Sequence, residues 1–330
     1  AMLIGIGLSA LGYSFFGRDG VLLEAWWLYL GSIAVFIAGS FLLTPGQPIG
    51  PALRRVFPSR GILAGLLVIL AIALFTRFYN FTEQPFGIWF DEAEAGLEAR
   101  RILGSDQYRP VFFAPINVTG HLLWLYALAL DWLGDNIYAL RSVSVLFGLA
   151  GVVAAFLFGQ ELRGPRFGLA LAFFVAVARW HVNFSRIAMT GVDTPFFEFL
   201  SLYFLIRLFK HGRLRDALWA GFSLGTGLLF YTAFRLYLVA LVLFVIIAVV
   251  RWSRTVVASL RHKGWQRWLG AAAILGAMIW LLVVPIVQFA LDNPEEFWYR
   301  TRQISILTKR DQADLTTALL DSTRKHVLMF

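Results

Sequence analysis

The feature that most constrains this chain is its recurrence of long, largely apolar stretches, at 1–16, 26–43, 61–79, 138–160, 167–184, 194–209, 216–231, 235–250 and 268–290. A helix needs about 20 mainly apolar residues to cross the hydrocarbon core of a bilayer. Nine such stretches leave little chain for a water-soluble domain. Charged residues make up 15% of the chain, against the roughly 25% that an ordinary soluble protein carries. The mean hydropathy is +0.70. The expected fold is an all-α polytopic membrane protein with about nine transmembrane helices. Having no cysteine, the chain has no disulfide framework, thiolate nucleophile or cysteine zinc site. The first stretch lacks the basic start and small-residue cleavage site of a signal peptide.

The net charge of +9 is explained by sidedness rather than by nucleic acid. Segment 119–134 is apolar but has only 16 residues and carries Asp131. Such a helix covers about 24 Å, short of the ~30 Å core. If it lies on the membrane surface, the loops 44–60, 161–166, 210–215 and 251–267 share one side. They then gather 13 Lys and Arg against one acid, Glu161. If it spans, those basic residues split 3 against 10. The first arrangement obeys the positive-inside rule far better, so segment 119–134 is expected as a surface helix. Trp26, Trp27, Trp89, Trp180 and Trp298 then mark the outer interface, and Trp252, Trp265 and Trp268 the cytoplasmic one. The outer loop 80–137 and the tail 291–330 are too long to be turns, and both read as structured.

The outer loop opens RFYNFTEQPFGIWFDEAEAGLEARRILG, with a helix expected from Asp91 to Leu103 and Gly104 as its stop. Asp91 and Glu94 have the Asp-x-x-Glu spacing of a capping box, and Glu98 can pair with Arg100 or Arg101. Read for function instead, Asp91, with Glu92 beside it, is a general base near the apolar walls of Trp89 and Phe90. Burial near such walls raises a carboxylate pKa toward working pH, as proton abstraction requires.

A second polar run, ARWHVNFSRIAMTGVDTPFFEF, lies between two apolar stretches on the same expected side. Asp193 and Thr194 before Pro195 are a helix-start signal. The functional reading uses His181 and Arg186 to hold an anionic group and Asp193 to position an acceptor or a metal. Arg235, in FYTAFRLYL, offers a second guanidinium or simply snorkels to the interface. A guanidinium suits phosphate because its planar fork donates two parallel hydrogen bonds. Asp91 and Asp193 have the chemistry to share a divalent metal ion, which the sequence neither requires nor excludes. The five histidines show no metal-ligand spacing, and no phosphate-binding loop or dinucleotide fingerprint occurs. Gly221, Gly225 and Gly227 read as close helix-packing positions. Asn80, Asn117 and Asn183 begin Asn-x-Ser/Thr triplets that read as chance occurrences.

Together these residues resemble the GT-C superfamily of polytopic glycosyltransferases, nearest in pattern to the protein O-mannosyltransferase and aminoarabinose transferase group (glycosyltransferase family 39). The resemblance rests on Asp91-Glu92 soon after a span, the juxtamembrane helix 119–134, YALRSVSVLFG opening the next span, the basic ELRGPRFG turn and the SRIAMTGVD run. It covers roughly residues 61–310. It implies a GT-C-type helical bundle and inverting transfer of a sugar from a polyprenyl-phosphate-linked donor to a protein, lipid or glycan acceptor. The enzyme would be multi-pass in the cell membrane, with its site on the extracytoplasmic face. By position, Asp91 matches the catalytic base with Glu92 beside it, Asp193 matches the second acid, and Arg186 and Arg235 match phosphate contacts.

The implied organisation is two N-terminal spans with a basic loop in residues 1–60 and a catalytic core in 61–290. Residues 291–330 are the start of an extracytoplasmic segment where family members continue. The competing reading is a transporter or flippase for an anionic lipid-linked or sugar substrate. It is disfavoured because the candidate charges collect at the rim rather than at mid-membrane between related halves.

Overall fold

The computed structural model describes residues 2–16, 22–43, 56–81, 83–251, 264–304 and 315–328. Among the described residues the regular structure is helical, apart from one two-stranded hairpin. All nine expected apolar stretches are helical: α1 (Met2–Phe16), α2 (Leu22–Leu43), α3 (Arg60–Phe78), α6 (Ile137–Arg163), α7 (Pro165–Val177), α9 (Asp193–His211), α10 (Leu214–Phe230), α11 (Phe234–Arg251) and α12 (Trp265–Asp292). Among the described residues, five helices are long and apolar enough to cross a bilayer: α2, α3, α6, α11 and α12. The expected count of nine is therefore not reached on length and composition alone. Helices α1, α7 and α10 are shorter, with 15, 13 and 17 residues. Helix α9 has the length but carries Asp193, Glu198, Arg207 and Lys210.

The bundle is a packed series in which α3 lies against α7, α7 against α6, α6 against α9, α9 against α10, and α10 against α12. The first two helices form a pair that closes on α12. Close approach between α10 and α12 depends on two of the glycines singled out in the sequence. A Cβ at Gly221 would come within 2.6 Å of the Leu275 carbonyl oxygen, and one at Gly225 within 2.7 Å of Leu282. Helix α11 is different, for Phe234 is its one buried residue. An apolar helix exposed nearly all round has no solvent but lipid.

The outer loop is structured, as its length suggested. Helix α4 (Phe90–Gly104) packs on α5 (Gly120–Leu133), and between them runs the hairpin of β1 (Phe112–Phe113) and β2 (Val118–Thr119). The strands are antiparallel, with Phe112 opposite Thr119 and Phe113 opposite Val118. Asn117 turns the hairpin at φ 55°, the left-handed region that asparagine tolerates better than other side chains. Helix α5 forms in the segment expected to lie on the membrane surface. At 14 residues it is too short to span, and it buries one face through Leu122, Leu123, Tyr126, Ala127 and Leu130.

Three local expectations are corrected. Helix α4 is not capped by Asp91 and Glu94. It begins at Phe90, and Glu92 accepts the Trp89 backbone N–H at 3.1 Å. The stretch 167–184 is not one helix but breaks at Ala178 before the short α8 (Arg179–Phe184), because the Arg77 guanidinium takes the freed Ala176 carbonyl at 3.2 Å. Trp26 belongs to the core rather than to an interfacial belt, only 6% exposed and packed against His121 and Trp124. Trp27, Trp89 and Trp180 are exposed as a belt requires. Trp252, Arg54, Arg55, Arg254, Arg261 and Lys263 lie outside the described residues.

Candidate functional site

The site is organised around Glu92, which is completely buried. Its Oε1 accepts from Arg141 Nε at 2.8 Å and from the Ala188 backbone N–H at 2.7 Å. Its Oε2 accepts from an Arg141 terminal nitrogen at 3.0 Å and from the Trp89 N–H at 3.1 Å. Four donors thus satisfy one carboxylate, and the bidentate Arg141 fork supplies the opposite charge. Arg141, on the first turns of α6, also donates to the carbonyls of Gly87 at 2.8 Å and Pro85 at 3.4 Å. The pair therefore ties α4, α6, the loop before α4 and the SRIAMTGVD run into one unit. A buried ion pair is stable only when geometry is good and the remaining polar valences are filled. Both conditions hold here.

Arg186 works alongside it. Its guanidinium donates to the carbonyls of Thr76 at 2.8 Å, Asn80 at 3.1 Å and Gln84 at 2.8 Å. It caps the C-terminal end of α3 and pins the loop that leads to Asp91. The sequence suggested a phosphate contact here, but at least three of its five donors are spent on backbone. His181 is likewise turned inward. Arg77 donates to its Nδ1 at 2.7 Å, and because a guanidinium cannot accept, Nδ1 is unprotonated and the ring's hydrogen is on Nε2. That Nε2 is buried and faces Gly151 of α6, where a Cβ would stand 3.1 Å away.

Asp91 is different from its neighbour. It sits half-buried in the first turn of α4, with no hydrogen bond or ion pair to any described residue. Asp193 opens α9, only 2% exposed, and its Oδ1 accepts the Gly191 N–H at 2.9 Å. Its Oδ2 is buried without a hydrogen-bond partner among the described residues. The Tyr126 hydroxyl of α5 feels the negative charge of both Asp193 and Glu92, and its pKa is raised by burial first and by Asp193 next. Asp193 and the Glu92 bolt therefore lie within electrostatic reach of one phenol. Arg235 lies at the start of α11 with its guanidinium 5.2 Å from the Phe297 ring centre, a cation–π contact with helix α13 (Pro294–Ile304). No carboxylate neutralises it among the described residues. Among those residues, no three histidine or acidic side chains are grouped as a metal site would group them.

A cleft of about 240 Å³ lies behind α4, lined by Ile88, Glu92, Gly96, Leu97, Arg100 and Leu140 among others, but not by Asp91. Residues 92, 96 and 100 share one stripe of α4, which turns Asp91 toward the other side. The C-terminal end of α4 is held by Arg109, whose guanidinium donates to the Ile102, Ser105 and Tyr108 carbonyls at 3.3, 2.5 and 2.9 Å. Tyr108 donates to Glu98 beneath Arg101, and burial and Glu98 raise its pKa. Sequence reasoning assigned no role to Arg77, Arg109 or Arg141. For Arg77 and Arg141 the available signal was an arginine inside an apolar stretch, which calls for an explanation by its cost alone.

Residues 121–263 match the family model described as dolichyl-phosphate-mannose-protein mannosyltransferase. The chain is similar to the undecaprenyl phosphate-alpha-4-amino-4-deoxy-L-arabinose arabinosyl transferase of Pseudomonas aeruginosa. The two are 28% identical over 234 residues, covering 65% of this chain and 40% of the relative. The enzyme of the same name from Pseudomonas paraeruginosa matches at the same identity and coverage. In fold it is similar to the archaeal oligosaccharyltransferase AglB from Archaeoglobus fulgidus, solved with an inhibitory peptide and a dolichol-phosphate. That match has a TM-score of 0.52 at 13% identity and covers 82% of this chain and 37% of AglB. The chain thus spans about two fifths of the length of these relatives. Family model, relatives and fold point the same way, each to a protein named as a transferase of sugars, and the chain is similar to them in sequence and in fold.

Proposed function

We propose that the chain carries the donor-side machinery of an inverting glycosyltransferase that takes its sugar from a polyprenyl-phosphate carrier on the extracytoplasmic face. The observation that carries this reading is the contrast between two adjacent carboxylates. Glu92 is saturated by four donors, whereas Asp91, one residue earlier, has no hydrogen-bond or ion-pair partner among the described residues. A general base must have a free carboxylate at a fixed position, and the Glu92–Arg141 pair supplies the fixing. Asp91 takes the proton of the acceptor as the acceptor attacks the sugar carbon from the side opposite the leaving phosphate. The leaving phosphate gains charge as its bond breaks, so a cation near it stabilises the transition state more than the ground state. Arg235, held by a ring rather than by an acid, is better suited to that task than Arg186. Asp193 lies close enough to influence the same region and retains one unbonded oxygen. In this reading Glu92 positions the base rather than reacting.

The test is sugar transfer from a polyprenyl-phosphate-linked donor, measured in membranes holding the wild-type chain or Asp91→Asn. Loss of a general base is expected to slow transfer by about 10²–10⁴-fold, with folding and membrane insertion intact. Undiminished transfer by a folded Asp91→Asn chain overturns the assignment.

A further inference from the structure

A second charged cavity lies at the opposite end of the bundle. Helix α6 runs 27 residues and α9 runs 19, lengths of roughly 40 and 28 Å. Both leave the candidate site at their N-terminal ends. Where they finish, a cavity of about 270 Å³ is lined by Val56, Leu157, Glu161, Tyr203, Arg207 and Arg213, together with Gln160 and His211.

Glu161 already has three basic neighbours from the last turns of α9: Lys210 at 3.3 Å, His211 at 3.7 Å and Arg207 at 3.8 Å. Asp216, in the first turn of α10, takes Arg207 Nε at 2.9 Å. The helix C-termini that meet here favour some positive charge by their dipoles. After those interactions one cation is left over among the described residues that line the cavity. The Arg213 guanidinium lines the cavity and makes no hydrogen bond or ion pair with any described residue. The Arg207 fork is also incompletely used, since it lies 5.2 Å from the Tyr203 ring centre and its terminal nitrogen stays 3.8 Å from Glu161. Val56 and Leu157 add an apolar wall on the same cavity.

We propose that this cavity is a phosphate-binding site, distinct from the transfer site, that takes a phosphate group carried by an anionic phospholipid or free in solution. Two guanidinium forks with spare donors, facing a cavity whose only lining carboxylate is already engaged, are suited to a tetrahedral oxyanion. The apolar wall accommodates the glycerol and upper acyl carbons when the phosphate arrives on a lipid.

The test uses the full chain in nanodiscs of phosphatidylcholine. In one arm phosphatidylglycerol is included and its retention is measured by native mass spectrometry. In the other, inorganic phosphate is titrated and the unfolding temperature is followed. Arg213→Gln is compared with Arg166→Gln, an exposed basic residue on the same face. Arg213 has no described partner to leave stranded, so its loss is not expected to unfold the chain. Phosphatidylglycerol retained by wild type and Arg166→Gln, but bound at least about tenfold more weakly by Arg213→Gln, supports the site with a lipid source. The same pattern with inorganic phosphate alone supports it with a soluble source. Equal behaviour of wild type and Arg213→Gln toward both ligands, or equal losses in the two variants, overturns the proposal.

Discussion

At the scale of single residues, the site is governed by which charges are spent and which are free. Arg141 is 2% exposed and faces a fully buried Glu92, so removing it strands a carboxylate in a dry interior. Breaking one side of a buried pair costs about 3–5 kcal/mol. Arg141→Ala is therefore expected to lower stability by that order in detergent unfolding experiments. Arg141→Lys keeps the charge but loses the fork and should fall between the two. The double change Arg141→Met with Glu92→Gln should recover part of the loss, because no unpaired charge remains. If Arg141→Ala and the double variant are equally stable, the pair is not the bolt described here. The acids of the site were readable in the sequence because Asp91, Glu92 and Asp193 interrupt an apolar pattern. Their division of labour was not. Glu92 and Arg141 are 49 positions apart, and only the packing of α4 on α6 shows that Glu92 is saturated and Asp91 is not. Arg186 shows the same limit. Its type suits phosphate, but the carbonyls it binds belong to residues more than a hundred positions away.

At the scale of elements, every apolar stretch is helical, 167–184 as two helices, because periodic burial and the need to satisfy backbone polar groups in lipid leave no other local solution. That α5 is too short to span was likewise legible from length alone. Boundaries were not, where a distant side chain decided them. Helix α7 stops where Arg77 collects the Ala176 carbonyl, and α4 starts where Glu92 reaches the Trp89 N–H. Two glycines forecast as packing positions do serve the α10–α12 contact, and Gly227 instead makes room for the Phe234 ring of the next helix. Gly221→Ala is expected to destabilise the chain by about 1–3 kcal/mol through overpacking, since its new methyl meets the Leu275 backbone rather than a movable side-chain tip. Gly276→Ala, on α12, meets nothing within 4 Å. It should leave stability unchanged or raise it slightly, as alanine is the better helix former. Thermal unfolding of the two variants in one detergent separates them. Equal effects would mean that close approach at Gly221 does not hold α10 to α12.

At the scale of the whole molecule, the distribution of charge and the direction of the helices give one consistent orientation. The turns after α6 and α9 carry Arg163, Arg166, Lys210, Arg213 and Arg215, while the loop around α4 carries Glu83, Asp91, Glu92, Glu94, Glu98 and Asp106. Helices α6 and α9 run from the second group to the first, so the two groups occupy opposite ends of the bundle. By the positive-inside rule, the proposed function has the basic end in the cytoplasm and Asp91 outside, where the proposed lipid-carried sugar would meet its acceptor. This orientation also requires α5 to stay on the surface, since an extra crossing there would reverse everything after it. The chain has no cysteine, so single cysteines can report the side of each loop without background. Asp106 and Arg166 are both exposed and lie at opposite ends by this account. In intact cells, a membrane-impermeant maleimide should label Asp106→Cys. It should reach Arg166→Cys only after the membrane is permeabilised. Labelling of both from one side would mean that α6 does not cross, and labelling in the reverse order would put Asp91 in the cytoplasm. Either result would remove the extracytoplasmic transfer reading while leaving the Glu92–Arg141 geometry untouched.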